Sequence, residues 1–153
     1  MTPITEILNP AHVRLGLEAP DEAGAVDAVL ALLEGDRRVL DFFRLSESVK
    51  TRSAGGIVEH GCGICIAHGR TESISSLVMA AGRFPQGVPA REGEVLMKLI
   101  FVAGIPAAFS SEYLRTVGAI ARICRDRHQL ERLLAAKTAS QFVDLLGVGE
   151  AKL

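Results

Sequence analysis

The sequence predicts an α/β layered domain in which helices cover a mixed sheet. Three observations carry this expectation. Helical apolar spacing recurs in the first third, a glycine-punctuated middle holds short apolar runs, and helical spacing returns in the last third. At 153 residues one domain spanning 1–153 is expected, long enough to bury a core without disulfides or metal.

The elements follow in order. Pro3, Pro10 and Pro20 break up the first twenty residues, and the alternation Val13, Leu15, Leu17 suits an edge strand. Asp21 and Glu22 open a helix whose apolar face is Val26, Val29, Leu30 and Leu33, with Gly35 as its stop. A second helix is expected from about Val39 to Lys50, with Val39, Phe42, Phe43 and Val49 inward. Residues 53–63 contain four glycines and read as loop or short strand. Ile64-Cys65-Ile66-Ala67 is a brief apolar run ending at His68, and Leu77–Ala81 is another strand candidate. Phe84–Gly93, with Pro85, Gly87 and Pro89, reads as a loop. Val95–Ala103, nearly all apolar, suits a central strand covered on both faces.

The last third is helical. Ser110 or Ser111 is a candidate cap for a helix with Leu114, Val117, Ile120, Ala121 and Cys124 inward. Another helix holds Leu130, Leu133 and Leu134. Thr138-Ala-Ser-Gln141 matches a capping box ahead of Phe142, Val143, Leu145 and Leu146. Phe42, Phe43, Phe101, Phe109 and Phe142 are assigned to the core.

The bulk numbers exclude several functions. A net charge of −1 with interspersed signs offers no electrostatic footprint for nucleic acid. The longest apolar stretch, Val95–Pro106, holds Lys98 and is too short to span a bilayer, and no signal peptide is visible. Three cysteines do not make a secreted disulfide scaffold, so a cytoplasmic protein is expected. No Walker-type loop or magnesium-binding carboxylate pair is present, so no cofactor is expected and ATP is not a direct donor.

Chemistry concentrates in His60–Arg70, where three readings compete. Two histidines and Cys62-x-x-Cys65 are zinc-type ligands, but no second cluster follows, and on a strand Cys62 and His68 fall on one face with Cys65 on the other. A redox Cys-x-x-Cys needs a helix start that this strand-like run lacks, so Cys65 and Cys124 read as core fillers. The third reading is a nucleophilic imidazole at His68 in an anion-binding setting. Gly61, Gly63 and Gly69 permit close approach of backbone N–H groups to an anion. Arg52 and Arg70 supply planar donors suited to phosphoryl oxygens.

This segment resembles the active-site stretch of enzyme IIA domains of the bacterial phosphotransferase system, fructose/mannitol superfamily. There, as here, an arginine sixteen positions before the histidine ends a helix, and a glycine-rich loop and a strand follow. Ile4-Thr-Glu-Ile-Leu-Asn-Pro10 is similar to the start of the nitrogen-regulatory branch. Leu99–Pro106 is similar to the family's apolar strand ending in proline, and Tyr113-Leu114 falls where that family has His-Leu. The resemblance covers nearly the whole chain. It implies a three-layer α/β/α domain with a mixed sheet of about five strands. It also implies that His68 accepts a phosphoryl group from a histidine-containing phosphocarrier protein or its nitrogen-branch homologue. Arg52, Gly61, Gly63, Arg70 and Tyr113 would contact the phosphate, and an apolar rim would dock partners. Phosphorylation would control binding to regulatory target proteins. The chain departs from the family pattern at Ile57-Val58-Glu59 in place of Ser-Thr-Gly, at Ala67 in place of proline, and at Tyr113 in place of the second histidine. His60 is an additional imidazole. A phosphorylation-silent interaction module of the same fold is the alternative.

Overall fold

The structure is a computed structural model that describes residues 2–52, 57–59, 63–90, 96–108 and 111–153. Helix α1 (Ile4–Ile7) and a 3-10 turn (Pro10–His12) lead into strand β1 (Val13–Arg14). Helix α2 (Glu22–Leu30) continues into a 3-10 turn (Ala31–Leu33) and is followed by α3 (Phe42–Arg52). Strands β2 (Ile57–Glu59), β3 (Ile64–Thr71), β4 (Val78–Pro89) and β5 (Leu96–Pro106) form the middle. Helices α4 (Ser111–Arg125), α5 (Arg127–Ala135) and α6 (Ala139–Ala151) close the chain.

The sheet order is β1-β4-β5-β3-β2. β1 runs parallel to β4 and β3 parallel to β5, while β4/β5 and β2/β3 are antiparallel, so the sheet is mixed. Strand periodicity splits the core in two. Leu99, Phe101, Ala103 and Ile105 of β5, with Ile64 and Ile66 of β3, face a cluster that includes residues of α1, α4, α5 and α6. Met97, Ile100 and Val102, with Cys65 and Ala67, face α2 and α3. Three layers result, with β5 buried on both faces as its apolar run predicts.

Helix ends follow local chemistry. Asp21 accepts from the Gly24 N–H at 2.8 Å, and Thr138 accepts from the Gln141 N–H at 3.0 Å. The Gln141 side chain takes the Lys137 N–H rather than that of Thr138, so the capping box is displaced by one residue. Gly35 ends the α2 region at a φ of +92°, where glycine carries no steric cost.

Four expectations are corrected. Phe43 is 69% exposed, because the buried stripe of α3 runs through Leu45 and Val49, with Phe42 packed against it. The helix begins at Phe42, and Val39 instead bridges to Ile74. Leu114 is 65% exposed, since Tyr113 and Val117 take the inward positions. Strand β4 runs through the expected loop as far as Pro89; Pro85 falls inside a register shift between Arg83 and Val88, where its missing N–H breaks no ladder bond. Phe109 and Ser110 lie outside the described residues. No helix among the described residues is long and apolar enough to cross a membrane.

Two polar knots tie peripheral segments to the sheet. Arg83 of β4 donates through Nε to the Leu15 carbonyl at 3.1 Å, and through Nη1 to the carbonyls of Leu133, Leu134 and Ala136 at 2.8–3.0 Å. It thereby satisfies carbonyls left over at the end of α5. Arg83→Met leaves them without a charged donor and is expected to cost about 2–3 kcal/mol in urea unfolding.

In the second knot, Asp36 bridges His12 Nε2 at 2.9 Å and Arg38 Nη2 at 2.8 Å. Burial depresses the proton affinity of His12 below its ordinary 6.5, and Arg38 and Arg14 add to that against the pull of Asp36. The unfolded chain therefore binds more protons, so stability falls as pH drops below about 6.5 and is flat above it. His12→Gln is expected to flatten the urea midpoint between about pH 7 and pH 5.5.

Candidate functional site

His68 lies in the second half of β3, half-buried, opposite Ala103 of β5. β2 pairs only with residues 64–66, so His68 stands beyond its reach. Alternation along β3 turns His68 toward the layer that holds α4 and turns Cys65 toward α2 and α3. Tyr113, in the first turn of α4, places its hydroxyl 3.1 Å from His68 Nδ1. The two rings lie 5.0 Å apart at an interplanar angle of 43°. Burial, with a smaller contribution from Cys65, pushes the Tyr113 hydroxyl up to about 12, so it remains a phenol at neutral pH. It can then donate to Nδ1 or accept from Nδ1–H, and either bond sets the orientation and tautomer of the imidazole.

The opposite side is held by close backbone packing. A Cβ at Gly69 would stand 2.9 Å from the backbone nitrogen of Val49 and 2.8 Å from its Cγ2. Glycine therefore lets α3 lie directly on β3 beside His68. Ser48 Oγ donates to the Arg70 carbonyl at 3.1 Å, fastening the same crossing. Arg52 is the last residue of α3, one turn beyond Ser48 and Val49. Its side chain is outside the described residues.

The remaining candidates divide. Arg70, two positions after His68 on the same face, donates through Nε to the Ala107 carbonyl at 2.9 Å and also through Nη2. It thus anchors the β5–α4 connection that delivers Tyr113. Gly63 is not brought to His68. Five residues of strand separate them, roughly 16 Å. Its φ of +70° and a Cβ position only 2.8 Å from the Leu96 carbonyl oxygen give it a steric duty in the turn, while its own carbonyl accepts from the Lys98 N–H at 2.7 Å. Glu59 pairs with Ile64, so its backbone is four strand residues from His68, roughly 13 Å. Gly61, His60 and Cys62 lie outside the described residues.

Cys65 cannot join His68 in a metal site, because the two side chains leave opposite faces of one strand. Burial pushes its thiol up to about 12, helped by Glu22, whose Oε1 lies 3.8 Å from the sulfur. Among the described residues no group of three or more His, Cys, Asp or Glu is placed to hold a metal ion. Ser48 and the Ala107 carbonyl, which fasten Arg70, carry no sequence signal. A backbone acceptor has no residue type, and a serine inside a helix is ordinary.

With this geometry in place, residues 6–147 match the family described as "Phosphoenolpyruvate-dependent sugar phosphotransferase system, EIIA 2". The chain belongs to this family. It is similar to the fructose-specific EIIA component of Haloferax volcanii, 27% identical over 86% of this chain and 88% of the relative. It is also similar to the fructose-specific EIIABC component of Bacillus subtilis, 21% identical over 94% of this chain but only 23% of that longer protein. Among solved structures, nitrogen regulatory protein IIA-Ntr from Neisseria meningitidis superposes at a TM-score of 0.83 with 24% identity, covering 94% and 98% of the two chains. IIA mannitol from Escherichia coli superposes at 0.74 with 17% identity, covering 90% and 97%. At these identities the structural likeness carries the fold: the α/β/α layers around a mixed sheet are those of enzyme IIA domains.

Tyr113→Phe removes the hydroxyl and keeps the ring. It is expected to shift the His68 imidazole nitrogen resonances toward a mixed tautomer population, read by NMR, while the unfolding free energy drops by about 1 kcal/mol or less.

Proposed function

We propose that this enzyme IIA chain is a phosphoryl-accepting regulator, with His68 as the acceptor. The His68–Tyr113 contact is the observation that supports it most. An imidazole whose Nδ1 is held by a phenol is presented in one orientation, which is the main requirement of phosphoryl transfer between nitrogens. The nucleophile is assigned to Nε2: in this reading Nδ1 carries the proton and donates it to the Tyr113 oxygen, so the lone pair that attacks phosphorus is on Nε2. Nε2 bonds to phosphorus as the nitrogen–phosphorus bond of the donor's phosphohistidine breaks, and the donor imidazole leaves with that electron pair. Arg52, at the end of α3, would meet the phosphoryl oxygens, and Gly61 would offer its N–H. Arg70 acts through the β5–α4 connection.

The donor in this reading is a histidine-containing phosphocarrier protein. A partner-docking role for this fold is supported by a complex of enzyme IIA mannitol with phosphorylated enzyme IIB mannitol from Escherichia coli. Leu114, exposed immediately after Tyr113, provides an apolar contact for such a partner. The nitrogen-regulatory branch, in which phosphorylation state governs binding to regulatory targets, is favoured by the superposition on IIA-Ntr.

The test is reconstituted transfer. The chain is mixed with phosphoenolpyruvate, enzyme I and the phosphocarrier protein, and intact mass is read. An acid-labile gain of one phosphoryl group is expected, lost in His68→Ala and slowed roughly tenfold or more in Arg52→Ala. Leu114→Asp is expected to raise the phosphocarrier concentration needed for half-maximal rate, with the saturated rate little changed. No gain, with an active relative alongside, would overturn the carrier reading and leave the interaction module. A gain that survives His68→Ala would move the chemistry to another histidine, His60 first.

A further inference from the structure

Tyr113 also lines a cavity of about 330 Å³. Among the described residues four separated segments line it: Thr2 near the N-terminus, Ser75 to Leu77 between β3 and β4, Pro106 at the end of β5, and Ser111, Glu112, Tyr113 and Arg115 in α4. Its volume is in the range of small-molecule sites. Leu77, Pro106 and Tyr113 supply an apolar wall, and the hydroxyls of Thr2, Ser75, Ser76 and Ser111 line the rest.

The charges identify the ligand class. Glu112 and Arg115 both line the cavity, three residues apart on one helix, where opposite charges usually pair. Among the described residues no ion pair joins them. The Glu112 carboxylate accepts from the Thr2 hydroxyl at 3.4 Å. An anion entering here meets the Glu112 carboxylate, a cation meets the Arg115 guanidinium, and a neutral polyol, though it can hydrogen-bond to both, leaves both charges uncompensated. A molecule carrying one carboxylate and one ammonium satisfies both.

We infer that this cavity binds a free α-amino acid, with its carboxylate on Arg115, its ammonium on Glu112 and its side chain against Leu77 and Pro106. Tyr113 belongs to both the cavity and the His68 contact, so occupancy is reported to the imidazole through the phenol. Binding itself stands apart from the phosphoryl-accepting role; only the consequence for transfer rests on that reading.

The experiment uses the full chain without any phosphoryl donor. The standard L-amino acids are added singly and followed by calorimetry and by NMR of the His68 imidazole. At least one is expected to bind saturably, with its N-acetyl and carboxamide derivatives and the Glu112→Gln and Arg115→Gln variants each weakening binding roughly tenfold or more. Saturation is expected to move the His68 resonances in the wild type and not in Tyr113→Phe. Circular dichroism checks that the variants fold. Absence of saturable binding by every amino acid at about 10 mM overturns the site. So does an affinity unchanged in both charge variants. Bound ligand that leaves wild-type His68 unmoved, or still moves it in Tyr113→Phe, overturns the coupling. Because no transfer is measured, failure of phosphorylation and failure of this site are read separately.

Discussion

The rest of the structure depends on burial of both faces of β5. Met97, Ile100 and Val102 leave one side and Leu99, Phe101, Ala103 and Ile105 the other, all of them at most 1% exposed except Ile105 at 3%. A strand that is apolar on both faces has to be covered twice, and helices on both sides of the sheet are the solution this chain adopts. Each apolar side chain withdrawn from water contributes about 1.5–3 kcal/mol before entropy is counted, so neither layer is dispensable. β3, beside β5 and parallel to it, inherits the same two-sided environment.

That inheritance shapes the site. On a strand with a helix layer above and below, neighbouring residues address different layers. His68 meets α4 while Gly69, the next residue, meets α3. The histidine is consequently held between two helices whose own positions are set by the core, not by the site. α3 is brought close because Gly69 has no side chain, and α4 is delivered by a connection that Arg70 clamps. The His68 side chain is thus positioned by packing decisions made at the two residues that follow it, which is how a rigid scaffold fixes one side chain. The same geometry disfavours the Cys65 thiolate despite its place in a Cys-x-x-Cys: the side chain faces the α2–α3 layer, is fully buried and lies next to a carboxylate.

Much of this was legible in the residues. The helix start at Asp21 and Glu22, the stop at Gly35, the cap at Thr138 and the two-faced apolar run of β5 are local signals whose physics is short-range, and the structure shows each. The sequence reading failed where a short-range signal was overruled. Phe43 and Leu114 have core chemistry but stand one step off the buried stripe of their helices, a rotation that single residues do not reveal. Pro85 and Gly87 marked a loop because a bulge inside a strand uses the same residues as a turn. Gly63 read as an anion ligand because it stands near His68 in sequence, yet a strand converts five residues into roughly 16 Å.

The sequence by itself determined the helix starts and stops and the strand that must be central, because composition, spacing and caps act over a few residues; the family came from likeness to known members along residues 6–147. Tertiary structure alone decided what touches the imidazole. Tyr113 is forty-five positions from His68, and Arg70 finds its acceptor thirty-seven positions away at Ala107. It also decided that Glu112 and Arg115 open onto one cavity with Thr2 and Ser75. Such contacts follow from which strands pair and how the helices cross them, a property of the packed chain as a whole, and no window of neighbouring residues contains it.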